Sequence, residues 1–396
     1  MNRPSALVLA AAILATTRAT AQTPLALTKA DAAFPDPFTR ITSVRELPSG
    51  KVIVSDIQDK TVQMLDFASG QATKVGREGQ GPAEYALPAG LLAMPNGETW
   101  VNDLLGRRFL VIDANGKPTK TVPVPSTGGS GPGGFAIGFL NGAADQNGRI
   151  YFQAPPFNVT SPDGKSPDSV AILRWDGAKS GLDTAAWLIG PKGTFNAAGA
   201  GGAGGAGGAR QMRISIGGGK VFTPQEAWGV AADGSVARVL PSPYHVVWYG
   251  PTSAKAAAGP TQAYTPLKVS EQDKQEVIES RKRNRPTMVM IGGPGGGGRP
   301  GGTGNFQMPD PEFEETKPPF TGTNPVLVTP EGEVWVARTR PSSDKTPTYD
   351  VFDRAGKLAR RASLNPKSAI IGFGKGTVYV VRTDDEDLQY LERFRR

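Results

Sequence analysis

Short segments in which apolar and polar residues alternate recur along the chain, and two of them read almost alike. The first, GKVIVSDIQDKTVQMLDFASG, begins at Gly50, and the second, GETWVNDLLGRRFLVIDANG, begins at Gly97. In both, the sixth residue after the first glycine is an aspartate, Asp56 or Asp103, and a glycine closes the stretch. Alternation with a period of two around a glycine turn is typical of a β-hairpin. The chain therefore repeats one hairpin.

Variants of this hairpin bring the number of copies to six, each with an anchor glycine at its first turn: Gly50, Gly97, Gly148, Gly234, Gly332 and Gly376. An apolar segment precedes every anchor and a further strand follows most hairpins, so each unit reads as four antiparallel strands. Outside two long intervals, consecutive anchors are 44 to 51 residues apart. Four strands in each such unit are the signature of a β-propeller, whose stacked blades cover each other's faces. The sequence therefore predicts an all-β, six-bladed β-propeller of four-stranded antiparallel blades.

The last unit ends at its third strand, within LQYLERF. We expect its fourth strand to come from the other end of the chain, residues 23–29 (TPLALTK). N- and C-terminal strands in one blade would close the ring and remove two free sheet edges.

Long connections are predicted to gather on one face of the ring. The turns at the anchor glycines are short in every unit, and most turns between the third and fourth strands are short too. The other two kinds of connection emerge on the opposite face, which we call the loop-rich face. Binding residues are found preferentially on loops held by a rigid scaffold, so we expect any function at the loop-rich face, around the channel mouth.

Two insertions interrupt the repeat, near residues 190–219 and 284–320. Their glycine-rich runs offer few side chains for packing, and we expect them to be disordered. Residues 271–283, just before the second insertion, are predicted to form one polar helix. Neither run has the Lys and Ser/Thr that a phosphate-binding loop requires.

The N-terminus has the pattern of a secretory signal peptide, residues 1–21, with cleavage after Ala21. Its apolar run, Ala6 to Ala15, is shorter than the roughly 20 residues that cross a bilayer. We therefore expect residues 22–396 to form one propeller domain that is exported, either periplasmic or secreted, without membrane insertion and as a monomer.

Composition limits the chemistry. The formal charge of +8 is spread among acidic residues, which does not indicate a nucleic-acid partner. The chain has no Cys and a single His, His245, so zinc, haem and Ser-His-Asp sites are disfavoured. No cofactor is expected, although carboxylates and backbone carbonyls would suffice for Ca²⁺.

The sixth residue after the anchor supplies the candidate binding residues at the channel mouth, together with two residues nearby: Asp56, Asp103, Arg338 and Arg382, then Arg108 and Tyr85. Two carboxylates and two guanidiniums would suit a polar or zwitterionic ligand. The alternative is structural, because aspartates commonly cap turns by accepting backbone amides. For the arginines, salt bridges to Asp384 or Asp385 are an equal alternative.

The linker GREGQGPAEY, residues 76–85, and the unit around it resemble the NHL-repeat-like six-bladed propellers of bacterial secreted proteins. That resemblance implies a fold and an exported location, and no chemistry. The first hypothesis for function is a non-catalytic binding or scaffold module that recognises a protein, peptide or glycan. The alternative is a Ca²⁺-dependent hydrolase similar to the six-bladed lactonases. A lyase with metal-binding histidines is disfavoured by the single His.

Overall fold

The computed structural model describes residues 24–125, 142–154, 167–177, 181–190, 194–199, 212–217, 219–252, 256–283, 310–322 and 324–396. Within them, six blades of four antiparallel strands form a ring, and one parallel strand is added to the sheet of blade five; this confirms the predicted fold class. The strands of each blade are lettered A to D from the channel outward.

The A, B, C and D strands of blade one are Ile41–Glu46, Val52–Asp56, Thr61–Asp66 and Gln71–Lys74. Those of blade two are Pro88–Ala93, Thr99–Asp103, Arg108–Ile112 and Pro118–Pro123. Those of blade three are Ala143–Ala144, Ile150–Gln153, Ser169–Trp175 and Leu182–Ile189.

Blade four consists of Ala227–Val230, Val236–Pro241, Tyr244–Tyr249 and Ala256–Ala258. Blade five consists of Val326–Val328, Val334–Ala337, Thr348–Phe352 and Leu358–Leu364. Blade six consists of Ser368–Gly374, Thr377–Thr383, Gln389–Arg395 and Ala32–Ala33.

The anchor glycines form the A–B turns, as their spacing predicts. All six have a positive φ between 69° and 89°, the left-handed region that favours glycine. In blades one to five the glycine amide donates to the carbonyl three residues earlier, for example Gly50 to Leu47 at 2.9 Å. This geometry keeps the A–B face of the ring compact.

The core lies between the blades. Six hydrophobic clusters fill these spaces, and each draws its residues from two neighbouring blades. One of them joins Val54 and Leu65 of blade one to Tyr379 and Val381 of blade six. The last blade therefore packs directly on the first, and every blade has both faces covered.

The N-terminal segment differs from the expectation for residues 23–29. Leu25–Leu27 pairs in parallel with the outer strand of blade five, Leu358–Leu364. The outer strand of blade six is Ala32–Ala33, a few positions later, which pairs with strand C, Gln389–Arg395. The physical reason is burial, because Leu27 lies in the hydrophobic cluster between blades five and six and is only 2% exposed.

The two insertions contain regular structure that was not expected. In the first, Thr194–Gly199 and Met212–Gly217 pair as an antiparallel hairpin. In the second, Thr316–Lys317 pairs with Leu267–Lys268, and Lys317 and Phe320 are buried. The remaining glycine-rich positions lie outside the described residues.

A single helix is present in the described part of the chain, Glu271–Arg283, with the predicted bounds. Two short strands, Arg77–Glu78 and Glu84–Tyr85, pair in parallel within the linker between blades one and two. The described residues include no helix that is long and apolar enough to cross a membrane.

Candidate functional site

Asp56 ends strand B of blade one and is 1% exposed. Its Oδ1 accepts hydrogen bonds from the amides of Gln58 at 2.9 Å and Asp59 at 3.0 Å, in the B–C turn. Its Oδ2 accepts from the amides of Thr39 and Arg40, both at 2.9 Å, in the chain that leads into strand A. Both carboxylate oxygens are thus used to join the turn to the incoming chain.

Asp103 has the same role in blade two and is fully buried. Its Oδ1 accepts from the incoming amides of Ala86 at 2.9 Å and Leu87 at 3.0 Å, and from the turn amide of Gly106 at 3.1 Å. Its Oδ2 accepts from Nε of Arg108 at 3.2 Å. The repeated aspartate is therefore explained by backbone contacts in the two blades that have it.

Arg108 and Tyr85 hold the linker that precedes blade two. The two Nη atoms of Arg108 donate to the carbonyls of Gln80 and Glu84, each at 3.0 Å. The hydroxyl of Tyr85 accepts from the amide of Val62 at 3.0 Å, and its ring is 2% exposed in the cluster between blades one and two. Both side chains fix the linker against the blades.

The glycines of the linker make room for Glu84. Its Oε2 accepts from the amide of Gly81 at 2.7 Å, and its Oε1 accepts from Nε of Arg77 at 2.7 Å. These two bonds lower the pKa of Glu84. A Cβ at Gly79 would lie 2.1 Å from the Glu84 carboxylate, so a larger residue there would displace this side chain from its two hydrogen bonds. The motif that carries the family resemblance therefore determines the conformation of this linker.

Arg338 lies just beyond strand B of blade five and contacts a buried carboxylate. Its Nη1 donates to both oxygens of Asp350, at 2.9 and 3.0 Å. Arg361 donates to the same carboxylate at 3.0 Å, and Tyr244 of blade four donates to it at 3.0 Å. Burial, followed by the charge of Asp350, raises the pKa of Tyr244. This network connects blades four and five.

The sequence offered Asp384 and Asp385 as partners for Arg382, but the structure pairs this arginine with Glu392. Its Nε donates to Oε1 of Glu392 at 2.8 Å, across to strand C of blade six, and its guanidinium lies 4.8 Å from the centre of the Tyr390 ring. The partner of Asp385 is Lys367. Arg382 lies opposite Tyr390 in strand register, and its guanidinium reaches the diagonal neighbour Glu392 on the same adjacent strand.

The channel of the ring contains a cavity of about 660 Å³, which is lined by residues from all six A strands. The lining extends into the connections that lead to those strands, at Gly142, Gln225, Gly322 and Asn324. It does not reach the A–B turns, so the cavity lies toward the loop-rich face. None of the six sequence candidates lines it.

Neutral hydrogen-bonding groups dominate the polar lining of this axial cavity. Asn102, Gln153 and Asn324 supply carboxamides, and Thr42 and Ser43 supply hydroxyls. Gly90 adds to the open space of the cavity, because even a Cβ placed there would meet no atom within 4 Å. The indole of Trp228 lines the wall, with its Nε1 donating to Oε1 of Gln153 at 3.1 Å.

The cavity lining has one carboxylate among the described residues, Glu226, and that group is engaged. Its oxygens accept from Arg238 at 2.5 and 2.7 Å and from the amide of Ile189 at 2.9 Å. Burial would lower the pKa of Arg238, but its bonds to Glu226 and Tyr249 raise it. The pair is a fixed, internally neutralised contact between blades three and four.

A Ca²⁺ site of the kind that the hydrolase alternative needs requires several oxygen ligands around one point, some of them carboxylates. The described residues contain no group of three or more His, Cys, Asp or Glu that could hold a metal ion. The described lining, with one carboxylate bound to Arg238, therefore does not fit such a site.

Sequence reasoning missed the axial cavity residues. They come from six blades that are far apart in the chain, and most are small or neutral, which gives no motif. The usable signal is positional, because most of them lie in or just before the apolar segment that precedes an anchor glycine, and Asn102 and Gln153 each lie five residues after one.

No protein-family model matches the chain, and no curated protein matches it. A solved structure of a protein from Bacteroides fragilis that is predicted to be exported is similar, with 10% identity over 95% of each chain and a TM-score of 0.47. A member of the DUF4221 family from Bacteroides vulgatus has 8% identity over 92% of this chain and 94% of its own, with a TM-score of 0.46. The calcium-binding protein regucalcin from Agrobacterium tumefaciens has 12% identity over 94% and 98%, with a TM-score of 0.39. Likeness this distant says nothing of activity.

Proposed function

We propose that this protein is an exported, non-catalytic binding β-propeller that recognises an uncharged polar ligand, of the glycan class, in the axial cavity at the loop-rich face. The observation that supports the proposal is the lining, in which carboxamides and hydroxyls face a cavity of about 660 Å³ and the carboxylate of Glu226 is paired with Arg238.

The chemistry of these groups suits hydroxyl-rich ligands. A carboxamide both donates and accepts, as does a hydroxyl. Thr42 therefore keeps its acceptor lone pairs after donating to Ser55, and Gln153 keeps its amide donor after accepting from Trp228, so both suit a sugar hydroxyl. The indole of Trp228 adds an apolar surface for a sugar ring. A charged ligand would lose its hydration in the cavity without gaining an opposite charge, which is costly. The volume is within the range of about 300 to 1,000 Å³ that small-ligand sites occupy.

The exported location is part of the proposal and rests on the N-terminal pattern of residues 1–21. A surface or periplasmic setting would bring the protein into contact with glycans.

Titration calorimetry with neutral oligosaccharides and with uronic-acid oligosaccharides tests the ligand class. We expect measurable heat of binding from a neutral glycan and little from its acidic counterpart. We also expect Gly90→Phe to bind the neutral glycan at least tenfold more weakly, because the phenyl ring would enter the cavity. Gly181→Phe is the matched control, because a Cβ at Gly181 also meets no atom within 4 Å but the residue lies outside the cavity. Equal affinities of the two variants would rule out the axial cavity as the site.

Thermal melting of residues 22–396 in EDTA and in millimolar Ca²⁺ separates this proposal from the Ca²⁺-dependent hydrolase. A ligand that binds only the folded state raises stability by RT ln(1 + [L]/Kd). We expect no rise of the melting temperature with Ca²⁺, because the described lining offers no charged ligand set. A clear Ca²⁺-dependent rise would favour the hydrolase and justify assays with lactones.

A further inference from the structure

A second concavity, of about 420 Å³, lies on the loop-rich face and shares no lining residue with the axial cavity. It is formed by the B–C turn of blade four, by residues 261–266 and by residues 314–319. Its walls include six prolines, Pro224, Pro241, Pro243, Pro266, Pro318 and Pro319. We call it the proline groove.

Hydrogen bonds hold the walls of the proline groove in place. The hydroxyl of Tyr264, itself a wall residue, lies 3.0 Å from the carbonyls of Lys317 and Pro318 on the opposite wall. The amide of Gln262 donates to the carbonyl of Tyr244 at 2.7 Å. Because prolines have a fixed φ and these contacts tie the three segments together, the groove is already formed before any ligand binds.

The proline groove is bounded on one side by acidic residues. Glu314 lines it, with Oε1 accepting from Thr223 at 3.1 Å, and among the described residues no cation pairs with its carboxylate. Asp310, Glu312 and Glu315 are exposed in the same segment, and none of them forms an ion pair with a described residue. A run of unneutralised acids on a chain of net charge +8 favours a cationic partner at this place.

We propose that the proline groove binds an extended, proline-containing basic peptide segment of a partner protein. Apolar, rigid walls of proline and tyrosine suit the rings of a polyproline II segment, which loses little entropy on binding. The exposed residues Ser242, Thr261 and Thr316 place hydroxyls beside the groove for the peptide carbonyls. Glu314 and its acidic neighbours would pair with arginine or lysine side chains that flank the prolines.

Fluorescence anisotropy with three labelled peptides tests the occupant. The probes are a proline-rich decapeptide with two arginines, the same peptide with two glutamates in their place, and a Gly/Ser decapeptide with two arginines. We expect the first to bind at least tenfold more tightly than either of the others, and its affinity to fall as salt is raised. Equal binding of the arginine and glutamate peptides would overturn the proposal.

Variants locate the binding. Glu314→Gln is expected to weaken the arginine peptide about fivefold, which equals about 1 kcal/mol, and Thr261→Arg to abolish binding by bulk and charge. Glu279→Gln, an exposed carboxylate on the helix and outside the groove, is the control and should have no effect. Melting temperatures show that each variant is folded. Unchanged affinity in both Glu314→Gln and Thr261→Arg would show that the peptide binds elsewhere and overturn the proposal.

Discussion

The carboxylate at the end of strand B fastens the chain that enters blades one and two. Asp56 and Asp103 each accept two amides from the residues just before strand A, and each also accepts amides of its own B–C turn. In Asp56 each carboxylate oxygen serves one of the two segments, whereas in Asp103 Oδ1 alone accepts from both and leaves Oδ2 for Arg108. These contacts account for the repeated aspartate without a ligand.

Replacement of Asp103 by alanine should destabilise the protein by about 3 kcal/mol. The change leaves three partly buried amides and the guanidinium of Arg108 without their shared acceptor, and several such losses at one buried carboxylate add up to this size. Urea denaturation measures the loss. Asp36→Ala, at an exposed position, is the control and should stay within about 0.5 kcal/mol of the parent.

A loss below about 1 kcal/mol for Asp103→Ala would mean that the carboxylate is free for another partner. That result would restore Asp103 as a candidate ligand-binding residue.

Directions of single side chains were the least predictable feature of the sequence. The repeat predicts that equivalent positions are occupied by Asp56, Asp103, Arg338 and Arg382. It does not predict which residues these side chains contact. Arg338 turns to Asp350, twelve residues further on, which lies opposite Val336 on the adjacent strand and so is a diagonal neighbour of the arginine. Which acceptor lies across a sheet depends on register, and register is not fixed by the spacing of one strand.

The elements themselves follow from local patterns. Alternation and an anchor glycine with positive φ determine each A–B hairpin, and the helix Glu271–Arg283 has its predicted bounds. Ser270 and Asp273 form a reciprocal cap, with the Ser270 amide donating to Oδ2 at 2.8 Å and the Asp273 amide donating to the serine Oγ at 3.1 Å. The sequence predicts a strand from residues 23–29 in blade six, whereas Leu25–Leu27 pairs with blade five, because pairing between distant segments has no local signal.

Docking of the helix depends on one carboxylate. Oδ1 of Asp273 accepts from Nζ of Lys317 at 2.7 Å and from the hydroxyl of Ser342, which joins the helix to the second insertion and to blade five. Burial would raise the pKa of Asp273, but these bonds and those from Ser270 lower it to about 2.

The stabilising effect of Asp273 should therefore be lost in acid. Its folded-state pKa of about 2 is below its ordinary value of 3.8, so the unfolded chain binds more protons between these values. The contribution is complete above about pH 4 and disappears as the pH falls through 2. We expect Asp273→Asn to lose about 2 kcal/mol at pH 6 and to match the parent progressively as the pH falls to 2.

Urea denaturation of both proteins at several pH values checks this expectation, with Glu279→Gln as the control, since Glu279 is exposed on the same helix. A difference between parent and Asp273→Asn that stays constant from pH 6 to 2 would contradict the low pKa.

On the scale of the whole molecule, stability comes from contacts between blades more than within them. Each of the six hydrophobic clusters belongs to two blades, so no blade buries its faces alone. The repeat in the sequence predicts this ring because it predicts six equal units. The axial cavity and the proline groove could not be predicted, since their residues meet only when distant segments are assembled.

The N-terminal segment reinforces the ring at blades five and six, and Leu27 should be its most important residue. Leu27 is 2% exposed in the cluster between these blades, whereas Leu25 on the same strand is only partly buried. We expect Leu27→Ala to cost about 3 kcal/mol, within the range for buried leucines, and Leu25→Ala clearly less. Urea denaturation of the two variants provides a matched comparison on one strand. Equal, small losses would mean that Leu25–Leu27 is not docked in solution, and the outer edge of blade five would then be open to another strand.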